Sequence, residues 1–161
     1  MKVFNDKTLL LRQGEWYDLK IVRVMTIAED QIYYLARDKN GLHHLIPVKY
    51  YSNYGIRAGD TVKCRLDRIN CQGRFFFEPE HPVYRTGSVY MFNLHGFIKC
   101  PPDSKSIYTA KVSDFEGTGY TTLEFEVSSG IPGRISSVLC RVELIKKSRL
   151  RLRLVDKRIL S

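Results

Sequence analysis

A chain of 161 residues with 43% hydrophobic and 12% aromatic content can build one large core or two small ones, and its 27% charged residues argue for a soluble protein rather than disorder. The formal net charge is +9, of which residues 1–85 contribute +4 (14 basic, 10 acidic) and residues 86–161 contribute +5 (12 basic, 7 acidic). Residues 134–161 alone hold nine basic residues against Glu143 and Asp156, which points to a polyanionic partner, nucleic acid first and acidic lipid or protein after it. Cys64, Cys71, Cys100 and Cys140 lack CxxC or CxxH spacing, so no zinc site, other metal or cofactor is expected. No segment approaches the roughly 18 apolar residues of a membrane span, and the N-terminal MKVFNDKTLLLRQGEW does not resemble a signal peptide. The expectation is a cytoplasmic protein with reduced thiols.

Taken in order, Leu9, Leu10 and Leu11 can pair as an edge strand or cover a barrel floor. Residues 16–27, with Leu19, Ile21, Val22 and Val24, read as a long bent strand serving two sheets. Residues 31–36 are rich in β-formers, Asp38-Lys39-Asn40-Gly41 is a hairpin turn, and residues 42–47 return. Residues 48–56, with three tyrosines, form a short helix or loop. Residues 59–79 then alternate Val62, Cys64 and Leu66 against Lys63, Arg65 and Asp67, turn at Asn70-Cys71-Gln72-Gly73, and continue as a strand from Arg74 to Glu78. Beyond a boundary at residues 81–87, strands are expected at 88–99, 106–112 and 120–127. Loops are expected at 101–104, 116–119 and 128–133.

The hairpin of residues 59–79 returns at residues 136–156. Cys64-Arg65-Leu66 matches Cys140-Arg141-Val142, Ile69 matches Ile145, and Arg74-Phe75 matches Arg149-Leu150 after a one-residue deletion. Two copies of one hairpin imply two small β domains, residues 1–85 and 86–161. The expected fold class is all-β: two tandem five-stranded OB-fold-like barrels. Cys64 and Cys140 fall on the inward phase of their strands, as small hydrophobes.

Residues 33–46, YYLARDKNGLHHLI, resemble the core of an S1-type RNA-binding domain of the OB superfamily. Tyr33 stands at the family's aromatic position, Gly41-Leu42 at its Gly-Leu and His44 at its histidine, while Gly59-Asp60-Thr61-Val62 resembles its Gly-Asp-x-Val. The resemblance covers about residues 16–79. The family's glycines around strand one are missing, and the second half shares only the hairpin, as a divergent repeat.

The resemblance implies base stacking on Tyr33 and His44, with Arg37, Lys39 and His43 nearby for phosphates or base edges. Tyr33 and Tyr34 point to opposite faces, so one of them is core. Tyr50, Tyr51 and Tyr54 with Lys49 and Arg57 either contact a single strand beside that face or plug the barrel end. Phe75 and Phe77 share a core-facing side, Phe76 faces away, and Arg74 adds a cation at the hairpin. In Arg149-Leu150-Arg151-Leu152-Arg153-Leu154 the arginines form a row spaced by about 6.8 Å, flanked by Lys146, Lys147, Lys157 and Arg158. Such a row suits phosphate contacts or simply blunts a sheet edge. No nucleophile elbow, HExxH, Walker A or Rossmann fingerprint occurs, so no enzyme is expected. The expected function is non-catalytic binding of RNA or single-stranded DNA. The alternative is a protein-interaction adaptor docking on a ribosome, polymerase or other macromolecular assembly, with an acidic protein or ribonucleoprotein assembly as its partner.

Overall fold

A computed structural model describes residues 11–99, 107–113, 120–127, 137–155 and 158–159. They form eleven β-strands, two short 3-10 turns and no α-helix, so the protein is all-β. None of their helical segments is long and apolar enough to cross a membrane. The expectations placed on Leu9, Leu10, Cys100, Lys157 and residues 101–104, 116–119 and 128–133 fall outside the described residues. The chain divides into two compact units after Pro82.

The first unit holds β1 (Trp16–Ala28), β2 (Gln31–Arg37), β3 (His43–Pro47), β4 (Thr61–Ile69) and β5 (Phe75–Pro79). They form one antiparallel sheet in the order β3-β2-β1-β4-β5. The long β1 pairs with β4 through Trp16 to Lys20 and with β2 from Lys20 onward, and a register shift after Ile21 bends it between the two partners. The sheet curls into a half-barrel. Alternate residues of each strand point inward, which puts Leu19, Ile21, Tyr34, Ala36, Ile46, Cys64, Leu66 and Phe77 into one core. Leu11 joins them from the preceding segment. Between β3 and β4 the chain makes 3-10 turns at Val48–Tyr50 and Ser52–Tyr54, and Tyr51 between them is buried in the core.

The second unit holds β6 (Val89–Lys99), β7 (Ile107–Ser113), β8 (Tyr120–Val127), β9 (Ser137–Lys146), β10 (Arg149–Leu154) and the two-residue β11 (Arg158–Ile159). The order is β10-β9-β6-β7-β8-β11. With β11 set aside, this is the order of the first unit read from its other edge. β11 pairs parallel with β8 and has no counterpart among the described residues of the first unit. Two residues are too few to show a period, so sequence patterning does not find it. Tyr84, Phe92, Val112, Leu123, Val138, Cys140, Val142 and Leu154 form the core.

Three local devices recur in both units. Each opens on Arg-x-Gly-x-x-Tyr: Arg12, Gly14 and Tyr17 in the first, Arg85, Gly87 and Tyr90 in the second. The Arg12 N–H donates to the Tyr17 hydroxyl at 2.7 Å, and the Arg85 N–H to the Tyr90 hydroxyl at 2.9 Å. Gly14 and Gly87 have φ of 87° and 89°, a region favouring glycine, and their N–H groups donate to the carbonyls of Leu66 and Val142. Second, each long hairpin carries a one-residue bulge at the same place and on an acidic residue, Asp67 in β4 and Glu143 in β9. Third, both hairpins close tightly, but with different loops. Three residues, 71–73, connect Asn70 to Arg74, whereas Lys147 and Ser148 alone connect Lys146 to Arg149, both at positive φ (50° and 60°). This difference is the one-residue deletion between the copies.

Leu66 is wholly buried and its N–H and C=O tie β4 to the opening segment at Glu15 and Gly14. Leu66→Ala is expected to lower unfolding free energy by about 2–5 kcal/mol, as truncation leaves a cavity, measurable as a shifted urea midpoint with unchanged slope.

Candidate nucleic-acid interface

The turn joining β2 to β3 is built on one carboxylate. Asp38 Oδ1 accepts the N–H of Asn40 at 2.8 Å and of Leu42 at 3.0 Å, and Gly41, at φ 84°, closes the loop by donating to the Asp38 carbonyl. The hairpin turn expected at Asp38-Lys39-Asn40-Gly41 is a three-residue loop in which glycine alone takes the left-handed conformation. Asn70 builds the β4–β5 turn in the same way: its Oδ1 accepts from Gln72 and Arg74, and Gly73 has φ 76°. The shared Asx-x-x-Gly spacing, Asp38 to Gly41 and Asn70 to Gly73, is the signal that identifies both loops.

Asp38 differs from Asn70 in what its second oxygen does. His44 Nε2 donates to Asp38 Oδ2 at 3.0 Å, and both side chains are buried. The imidazole packs edge-on against Phe75 (centroids 5.7 Å apart) and Phe77 (4.8 Å) of β5. His44 therefore links the two edge strands of the half-barrel and has no open face for a base. Its expected stacking role is corrected to a structural one. Burial alone would raise the Asp38 pKa, but the hydrogen bonds from His44, Leu42 and Asn40 outweigh it and hold the carboxyl below its ordinary value.

The opposite phase of β1, β2 and β3 faces outward, and cross-strand partners share that face. Three rows result. Met25, Tyr33 and Pro47 form the first, and Arg23, Leu35 and Leu45 the second. Lys20, Arg37 and His43 form the third. Tyr33, Leu35 and Leu45 are half-buried, whereas Lys20, Arg23, Arg37 and His43 are exposed. The surface thus runs from an aromatic and aliphatic floor to a cationic end. There it opens on a cleft of about 410 Å³ lined by Asp18, Lys20, Arg37, Asp38, Lys39, Gly41 and Thr61. Both Asp38 oxygens are engaged within the protein, so Lys20, Arg37 and Lys39 outweigh the Asp18 carboxylate and favour an anion.

Of the residues anticipated from sequence, Tyr33, Arg37, Lys39 and His43 come together here. Lys20 and Arg23 join them from β1. No sequence pattern pointed to these two, because isolated basic residues on a strand acquire meaning only through register. Tyr34 is the core member of its pair. Tyr50 and Tyr54 pack on the core around buried Tyr51, with ring centroids 6.1 and 5.3 Å from it, as one aromatic cluster. Burial, followed by the Glu78 charge, pushes the Tyr51 and Tyr54 phenols well above their ordinary range. Lys49 lies with Nζ 4.9 Å from the Tyr50 ring centroid. Phe76 faces outward, as its phase requires, beneath the guanidinium groups of Arg68 (4.3 Å) and Arg74 (5.3 Å) at the β4–β5 hairpin.

The remaining candidates belong to the second unit. Arg149, Arg151 and Arg153 are exposed and alternate with inward leucines, and Arg149 pairs across the hairpin with Lys146, next to Lys147. Glu143, the bulge residue, lies 3.4 Å from Arg151 and 3.6 Å from Arg153, so the row is partly neutralised along its length. Among the described residues, no cluster of three or more His, Cys, Asp or Glu side chains is arranged to hold a metal ion.

Because the folded Asp38 pKa is depressed, its contribution to stability is complete above the unfolded value of about 3.9 and is lost as pH falls through the folded one. Asp38→Asn is expected to flatten the stability profile below about pH 4. His44→Ala should cost about 1–3 kcal/mol at neutral pH by leaving a buried acceptor unpaired. Both are read by urea unfolding across pH. No protein-family model matches the chain and no curated protein resembles it in sequence, so the residues themselves carry the functional reading.

Proposed function

We propose that the first unit is an OB-fold-like, S1-like domain that binds RNA or single-stranded DNA without catalysis, and that the second is a divergent repeat of it. The observation that carries this reading is the outward face of β1, β2 and β3, where Tyr33 stands over an aliphatic floor beside Lys20, Arg23, Arg37, Lys39 and His43. A single strand presents bases and phosphates side by side, and an aromatic surface next to a row of cations answers both. The aromatic gives affinity that salt leaves in place, and the cations give affinity that counterion release makes salt-dependent. The net +5 of residues 86–161 adds a positive field that attracts a polyanion.

The experiment is anisotropy of labelled single-stranded RNA and DNA, titrated at two or more salt concentrations. Tyr33→Ala is expected to weaken binding by about 1–3 kcal/mol at every salt concentration. Arg37→Ala should instead reduce the log–log salt slope by about 0.7. Wild-type affinity in both variants would remove the proposed site, and absence of binding at low salt would remove the function.

A further inference from the structure

The duplicated fold supplies its own control for a surface in the second unit. On the outer face of β6, β9 and β10, Val155, Leu139 and Met91 form one cross-strand row, and Arg153, Arg141 and Val89 form the next. The aliphatic side chains are exposed: Val155 53%, Leu139 49%, Met91 54% and Val89 41%. At the corresponding positions the first unit has Glu80, Lys63 and Asp18 in one row and Glu78, Arg65 and Trp16 in the next. There the face is mostly polar: Asp18 stands opposite Lys63, and Arg65 reaches Glu78 at 3.8 Å. The same backbone therefore carries a mostly polar, ion-paired face in one copy and an aliphatic row in the other. The fold does not demand the second arrangement.

The charges are equally specific. Arg141 and Arg153 stand directly opposite one another, a like-charge pairing that costs stability. Glu143 engages Arg153 from one side but is shared with Arg151. A ligand carboxylate or phosphate would relieve that repulsion. The adjacent aliphatic row decides between them, since phosphates leave it wet, whereas protein interfaces combine aliphatic cores with arginine.

We propose that this face docks a protein segment presenting aliphatic side chains flanked by carboxylates. The surface is built from residues of the second unit alone, so the proposal does not depend on nucleic-acid binding by the first. The test is selection of random displayed peptides on the full chain, followed by titration of the enriched sequences as synthetic peptides and of a labelled oligonucleotide in parallel. Leu139→Lys and Met91→Lys are exposed changes that keep the face cationic and remove its aliphatic row. The expected result is enrichment of peptides that combine aliphatic and acidic residues, bound at least about tenfold more weakly by both variants, with oligonucleotide affinity unchanged or raised. Three results would overturn the proposal: no enrichment, peptide affinity unaltered by both substitutions, or purely acidic peptides displaced by the oligonucleotide. The last would make the face an electrostatic surface for nucleic acid. Thermal melts matching the wild type establish that both variants are folded.

Discussion

The first unit depends on a buried carboxylate that is fully spent within the protein. Asp38 receives two backbone N–H groups and the His44 imidazole, so desolvating its charge is compensated on both oxygens. One oxygen shapes the turn between β2 and β3. The other fixes a histidine whose ring lies against Phe75 and Phe77 on the far edge of the sheet. A local turn and a long-range closure are thus held by the same side chain. Because that turn also lines the cationic cleft, the geometry of the candidate site is set by the interaction that draws the edge strands together.

Duplication explains much of the rest. The opening Arg-x-Gly-x-x-Tyr segments, the acidic bulges at Asp67 and Glu143 and the shared strand order are backbone devices, and both units retain them. A bulge sets the twist of its hairpin, and removing it would reverse the phase of every following side chain. The outward faces carry no such constraint and have diverged. At the equivalent strands the first unit places mostly polar side chains, with Asp18 opposite Lys63 and Arg65 beside Glu78, on β1, β4 and β5. The second places aliphatic side chains and arginines on β6, β9 and β10.

How much of this was legible in the amino-acid order depends on the range of the interactions involved. Alternation at Val62, Cys64 and Leu66, the turn residues at Gly41 and Gly73, and the echo of the hairpin around Cys140 are local signals. They were sufficient for an all-β reading and for strand positions close to those observed. The repeated Arg-x-Gly-x-x-Tyr was equally present in the sequence, but its meaning lies in a hydroxyl reaching back five residues to a backbone N–H, which spacing alone does not reveal.

Sequence by itself determined the period-two strands, the inward cysteines and the basic excess, because each is a property of neighbouring residues or of the total composition. Tertiary structure decided which candidates share a surface. His44 and Tyr33 are equivalent as residue types that stack, yet strand register turns one into the core against β5 and the other outward between Met25 and Pro47. Lys20 and Arg23 share the face of Arg37 and Leu35 only because β1 lies beside β2. The arginine row loses part of its charge only because a bulge brings Glu143 alongside it. Faces are set by pairing between strands distant in the chain, and that pairing is not written in any one of them.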